Sequence, residues 1–148
     1  MKKIALAVSA VMLSAVTVAM AASDPIETRK DLMEANGAAA AVAAAMLKGE
    51  LDYNPAVAKS AIRTLDATAH AFGAFFPEGS DKGDTKASPK IWENMDEFQK
   101  HLTKFQSDAD AAAKAAGKDG PADLAAFKAA VTPILGNCKS CHQDFRLK

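Results

Sequence analysis

The residues with the most specific chemistry lie near the end of the chain, in the run Cys138-Lys139-Ser140-Cys141-His142. Two thiols at this spacing reach the two vinyl groups of one porphyrin and form thioethers. The adjacent histidine then projects over the same ring and ligates the iron from one face. Cys-x-x-Cys-His is thus the attachment signature of a c-type haem, and both cysteines of the chain lie in it. Three other chemistries share some of these residues. A thioredoxin-like dithiol uses Cys-x-x-Cys at a helix start within an α/β fold, whereas this motif lies near the terminus of a chain without strand patterns. A structural disulfide between Cys138 and Cys141 is a second alternative. A zinc site is the third: it needs four ligands, and beyond Cys138, Cys141 and His142 only His70 and His101 could supply the fourth.

The elements that must position this motif are helices. Asp24-Pro25, Asn54-Pro55 and Ser88-Pro89 each join a side chain that accepts from free helix N–H groups to a proline that loses nothing at the first helical position. Gly120-Pro121 is a weaker start of the same kind. Gly49, Pro77 to Gly79, and Gly117 are the stop signals between them. Apolar positions follow steps of four and three: Ile26, Met33, Ala40, Ala44 and Leu47 in the first segment; Ala58 to Phe76 in the second; Ile91 to Ala116 in the third; and Leu124 to Phe145 in the fourth. No segment alternates with period two. Four amphipathic helices predict an all-α antiparallel four-helix bundle. The segment Pro77 to Ala87, rich in Gly, Asp, Lys and Ser, reads as a solvated connection. Pro133 predicts a kink or local break in the fourth helix. The alanine runs Ala38 to Ala45 and Ala109 to Ala116 predict close helix approach, or a core partly filled by something other than side chains.

The chain has 148 residues, 49% hydrophobic and 24% charged, a globular balance that sets a prior of one domain. Basic and acidic side chains number 18 each, so no basic excess is available to neutralise a phosphate backbone, and nucleic acid is not an expected partner. Lys2 and Lys3 precede an apolar run from Ile4 to Met20, and Ala19-Met20-Ala21 is a small-x-small cleavage site. Residues 1–21 therefore read as a signal peptide. A membrane anchor is the alternative reading, but the flanks fit cleavage better. Residues 22–148 form the mature domain. Cutting 21 residues from 148 leaves 127, with 16 basic against 18 acidic side chains, a net charge of −2. No other apolar run is long enough to span a bilayer. The expectation is an exported protein with no stable membrane anchor, most simply located in a bacterial periplasm. No paired carboxylates or nucleophile–base arrangement accompanies the motif, so the sequence does not read as an enzyme.

The placement of the motif, six residues before the C-terminus on the last of four helices, with Arg146 four residues beyond His142, gives a family resemblance. The chain resembles the class II c-type cytochromes, which include cytochrome c′ and the cytochrome c-556 type. Further matching positions are Arg29 and Leu32-Met33 in the first helix, Lys48-Gly49 at its end and Pro89-Lys90-Ile91-Trp92 opening the third. The resemblance implies a left-handed bundle enclosing one covalent haem c at one end, with His142 as the proximal iron ligand and the first helix facing the other side of the ring. It also implies periplasmic redox partner proteins and the possibility of a homodimer.

The sixth iron position decides between two functions. In the c-556 type a first-helix methionine matching Met33 ligates the iron; in cytochrome c′ that neighbourhood covers the iron without binding it. Met33, followed by Ala35, Asn36, Gly37 and Ala38, is the expected distal ligand of a low-spin His142/Met33 electron carrier. The alternative is a five-coordinate haem that binds nitric oxide or another small gas. Met95 reads as a packing residue and Met46 as a packing or surface residue, and His70 and His101 as residues on helix flanks. Arg29 and Arg146 are candidates for contacts to the haem propionates, since a guanidinium matches a carboxylate.

Overall fold

The computed structural model describes residues 24–148, so the expected signal peptide, residues 1–21, lies outside the described residues. Four long helices account for most of the chain: α1 (Pro25–Lys48), α2 (Pro55–Phe72), α4 (Met95–Ala116) and α5 (Leu124–Phe145). A 3-10 turn (Gly73–Phe75) extends α2, and a single-turn helix α3 (Lys90–Glu93) precedes α4. Neighbours in sequence pack side by side, α1 on α2, α2 on α4 and α4 on α5, and α1 packs less extensively on α5 to close the bundle. The expected antiparallel four-helix bundle is the observed architecture. No described helix is long and apolar enough to cross a membrane.

Local signals explain most boundaries. Asp24 accepts from the Ile26 N–H at 2.8 Å, and α1 ends at Gly49, whose φ of 75° closes the left-handed cap. Asn54 accepts from Ala56 and Val57 at the head of α2. Two starts depart from expectation. Ser88-Pro89 opens only the short α3, and Asn94 (φ −140°) interrupts the path before α4 begins. The fourth long helix starts not at Gly120-Pro121 but at Leu124, capped by Asp123, which accepts from Ala126 at 2.8 Å. Gly120 instead makes a tight corner at φ 93°, where an added Cβ would lie 2.3 Å from the Pro55 carbonyl oxygen. Tyr53 Oη donates to the Pro121 carbonyl and secures that corner. Helix α5 runs through Pro133 without a break. The proline and Ala129, whose carbonyl loses its helical donor, are both exposed, so water can serve that oxygen.

The core divides into two ends. At one, Ala39, Ala43, Ala58, Ala61, Ala109, Ala112 and Ala116 close against Met46, Ile62, Leu65, Phe127, Val131 and Ile134. The alanines of α4 thus permit close approach, with larger side chains filling the space between, and do not line a void. At the other end Phe76, Ile91, Phe98, Leu102 and Phe145 form a smaller aromatic cluster, with Phe76–Phe98 and Phe98–Phe145 edge to face. Met46 is fully buried in the first cluster, and Met95 packs on the second. Both are packing residues, as expected for Met95 and as one of the two readings of Met46.

Candidate haem-binding site

A cavity of about 470 Å³ opens at the aromatic end of the bundle, within the range of about 300–1,000 Å³ typical of small-molecule and cofactor sites. Helix periodicity aims the right residues into it. On α5, Cys138, Cys141 and His142 fall at i, i+3 and i+4, one stripe of the helix, and all three line the cavity. On α1, Arg29, Met33, Asn36, Gly37 and Ala40 form the facing stripe. Phe72, Phe76, Phe98 and Phe105 make the wall apolar. The small residues Gly37 and Ala40 leave room against α1, where a Cβ added at Gly37 would meet nothing within 4 Å.

The cysteine chemistry narrows the choices. The two thiols are not bonded to each other. Burial raises the Cys138 pKa, and burial followed by the neighbouring Cys138 and Asp144 pushes that of Cys141 to about 11. Both therefore stay protonated at neutral pH, the opposite of an activated dithiol. Among the described residues they do not gather with histidines into a metal-ligand cluster. His142 has an exposed surface, yet enough protein surrounds its ring that burial, and then Arg146, lowers its pKa. A neutral imidazole keeps the lone pair that ligation requires.

Arg29 is not an ordinary surface arginine. It is 4% exposed, and its guanidinium lies 4.7 Å from the Phe76 ring centroid and 5.7 Å from that of Trp92. Nη1 donates to Phe75 O and Ser80 Oγ, both at 2.8 Å; Nη2 donates to Ser80 O at 2.7 Å and Thr85 Oγ1 at 3.3 Å. No carboxylate pairs with it among the described residues, and burial pulls its pKa below the ordinary arginine value against the opposing pull of Asp24. The segment Pro77 to Ala87 is therefore not merely a solvated connection. Arg29 clasps it, Thr85, Lys86 and Ala87 line the cavity, and Ser88 N–H to Phe145 O (2.9 Å) with Leu147 N–H to Lys86 O (2.8 Å) tie it to the chain end. Sequence periodicity carried no sign of this clasp, because its partners are backbone and hydroxyl oxygens 46 to 56 residues away.

His101 departs from its expected place on a helix flank. It lines the cavity, edge to face with Phe145 at 5.3 Å between centroids, and its Nε2 lies 3.5 Å from Asp144 Oδ2. His70 does lie away from the cavity, on the surface.

The lining fits a haem. Arg29, Lys30, Lys86 and Arg146 line the cavity and no Asp or Glu does, which suits a flat apolar ring carrying two propionate carboxylates. Asn36 belongs to the same lining, and its buried Oδ1 has no hydrogen-bond partner.

Comparison with known proteins agrees. A profile of the family described as Cytochrome C′ matches residues 24–146. A cytochrome c′ of Rhodopseudomonas palustris is 40% identical over 131 residues, covering 88% of this chain and 86% of that protein. A cytochrome c-556 of Agrobacterium fabrum is 36% identical over 130 residues, with 88% and 86% covered. Among solved structures, cytochrome c′ from Rhodopseudomonas palustris superposes with a TM-score of 0.76 at 39% identity, covering 86% of this chain and 98% of that one. The one from Shewanella frigidimarina gives 0.77 at 32% identity, covering 84% and 95%. The fold, the haem-attachment motif Cys138 to His142 and the matched sequence agree: the chain belongs to the cytochrome c′ family, within the class II c-type cytochromes, whose members carry a covalent haem c.

Proposed function

We propose that this chain is an exported, periplasmic electron-transfer cytochrome. Its haem is held by thioethers to Cys138 and Cys141, with His142 as proximal and Met33 as distal iron ligand. The observation that carries this reading is that Met33 of α1 lines the same cavity as the Cys138–His142 stripe of α5. The haem supplies one-electron redox chemistry, whose potential a methionine ligand raises. The protein's own groups do the rest. The phenylalanines of the wall exclude water. Arg146 and Lys86 offset the propionate charge at the cavity edge, while Lys30 is already paired with Glu27 and Asp84 at 2.9 Å each. Arg29 has committed both terminal nitrogens to the 75–85 segment, so its positive field and its free Nε–H are what it offers a propionate. His142 and Met33 would hold the haem from places that already line the cavity, so the protein would rearrange little on oxidation, as a carrier of electrons to periplasmic redox proteins requires. The leader-like residues 1–21 support export.

A second reading is favoured by the family description and by the solved cytochrome c′ structures: Met33 covers the iron without bonding to it, and the haem binds nitric oxide or another small gas. A homodimer fits either reading; one matched cytochrome c′, 32% identical with a TM-score of 0.75, is described by its ligand-controlled dimer dissociation. The deciding experiment is the visible to near-infrared spectrum of the purified protein, oxidised and reduced, beside that of Met33→Ala. A low-spin spectrum with a methionine–iron charge-transfer band that Met33→Ala abolishes is the expected result. A high-spin spectrum unchanged by the substitution would transfer the assignment to gas binding. Loss of haem staining on denaturing gels in Cys138→Ala/Cys141→Ala tests the thioethers.

A further inference from the structure

Away from the haem cavity, three side chains converge where α2 packs on α4. Asp66 and His70 stand at i and i+4 on α2, and Asp110 reaches them from α4. His70 Nε2 lies 2.9 Å from Asp110 Oδ1 and 3.7 Å from Asp66 Oδ1, and one oxygen or nitrogen from each residue falls within 4.8 Å of the others. This crowding leaves a defect. One ring nitrogen faces two carboxylate oxygens, and a single N–H can serve only one of them. Asp110 takes it, and Asp66 Oδ1 is left buried with no hydrogen-bond partner. The other Asp66 oxygen is held by Arg63, whose Nη1 lies 3.5 Å from Oδ2, so that Oδ1 faces His70.

A cation between the three atoms satisfies all of them at once. Zinc bonds to nitrogen and oxygen at about 2.0–2.2 Å in a tetrahedron, which sets ligand atoms roughly 3.3–3.6 Å apart. The 2.9 and 3.7 Å from His70 Nε2 bracket that separation, and the two carboxylate oxygens lie within 4.8 Å of each other. His70 and Asp110 are more than half exposed, which leaves an entry path and a fourth position for water. An imidazole with only two carboxylates is a poor cage for calcium or magnesium, which take oxygen ligands.

We propose that Asp66, His70 and Asp110 form a surface binding site for a divalent transition cation of the zinc class, clamping α2 to α4. The imidazole takes up either the cation or a proton, so binding weakens as pH falls.

The test is titration of chelator-treated, haem-loaded protein with zinc chloride by calorimetry at pH 7.5. The expected result is saturable uptake of one zinc per chain, a higher Tm with zinc than with chelator, and affinity at least tenfold lower in His70→Gln and in at least one of Asp66→Asn and Asp110→Asn. Asp52→Asn, an exposed carboxylate outside both the cluster and the haem cavity, should bind as the unsubstituted chain does. Absence of binding up to about 1 mM zinc, affinity retained in His70→Gln, or affinity retained in both aspartate variants overturns the proposal. In the unsubstituted protein, zinc should shift the His70 imidazole resonances and leave those of His101 in place; the reverse pattern also overturns it.

Discussion

Replacing Arg29 by methionine removes the clasp while keeping comparable bulk. Four hydrogen bonds from a cation to protein oxygens are lost. At about 1–1.5 kcal/mol each, they amount to about 4–6 kcal/mol. Stacking of the guanidinium on Phe76 and Trp92 adds about 1 kcal/mol. Removing a buried cation that has no carboxylate partner returns about 2 kcal/mol. The net expectation is a loss of about 3–5 kcal/mol, which lowers Tm by roughly 10–20 °C for a domain of this size. Urea and thermal denaturation of the haem-loaded protein, followed by far-UV circular dichroism, measure it. Hydrogen exchange at the Ser88 and Leu147 amides reports the clasp itself, since both bond across the junction that Arg29 holds. Arg29→Lys keeps the charge but not the fork, and should recover no more than about half of the loss. A loss below about 1 kcal/mol in Arg29→Met, with unchanged exchange at both amides, would refute the reasoning.

Asp123→Ala should cost about 1 kcal/mol in denaturant unfolding, because Asp123 caps α5; a neutral result would return the helix start to Gly120-Pro121. Gly120→Ala should cost about 2 kcal/mol or more, since its φ of 93° and the Pro55 carbonyl 2.3 Å from the new Cβ leave no relaxed conformation. In metal-free protein, the His70–Asp110 bond favours the protonated imidazole, so the folded His70 pKa lies above its ordinary 6.5. That contribution is fully present below pH 6.5 and fades as pH rises through the raised value. The stability difference between the unsubstituted protein and Asp110→Asn should therefore be largest at mildly acid pH and shrink above neutrality; a difference that grows with pH would contradict the pairing.

Much of this molecule is local and therefore legible in its sequence. The caps Asp24 and Asn54, the left-handed Gly49 and the three-four apolar steps act within a few residues, and the structure follows them. The α5 start escaped because Gly120-Pro121 resembles a cap pair while serving as a corner against Pro55. The break at Asn94 was hidden by an apolar stripe that continues across it, from Ile91 to Met95 and Phe98. Where a long connection lies, and whether a histidine faces solvent or cavity, depends on neighbours brought together by packing. This is why the hold of Arg29 on the largely exposed 77–87 segment went unread and His101 was misplaced.

The sequence by itself determined the haem chemistry, the helical class and the order of elements, because thioether spacing, capping and helical period are short-range properties. The tertiary structure decided what the bundle does with its interior. It packed the alanine-rich end solid, opened the aromatic end into a cavity ringed by cations, buried Arg29 against a loop more than 40 residues away, and set His70 between two carboxylates from two helices. These outcomes depend on which helix faces meet, and that is settled by the joint burial of all four helices.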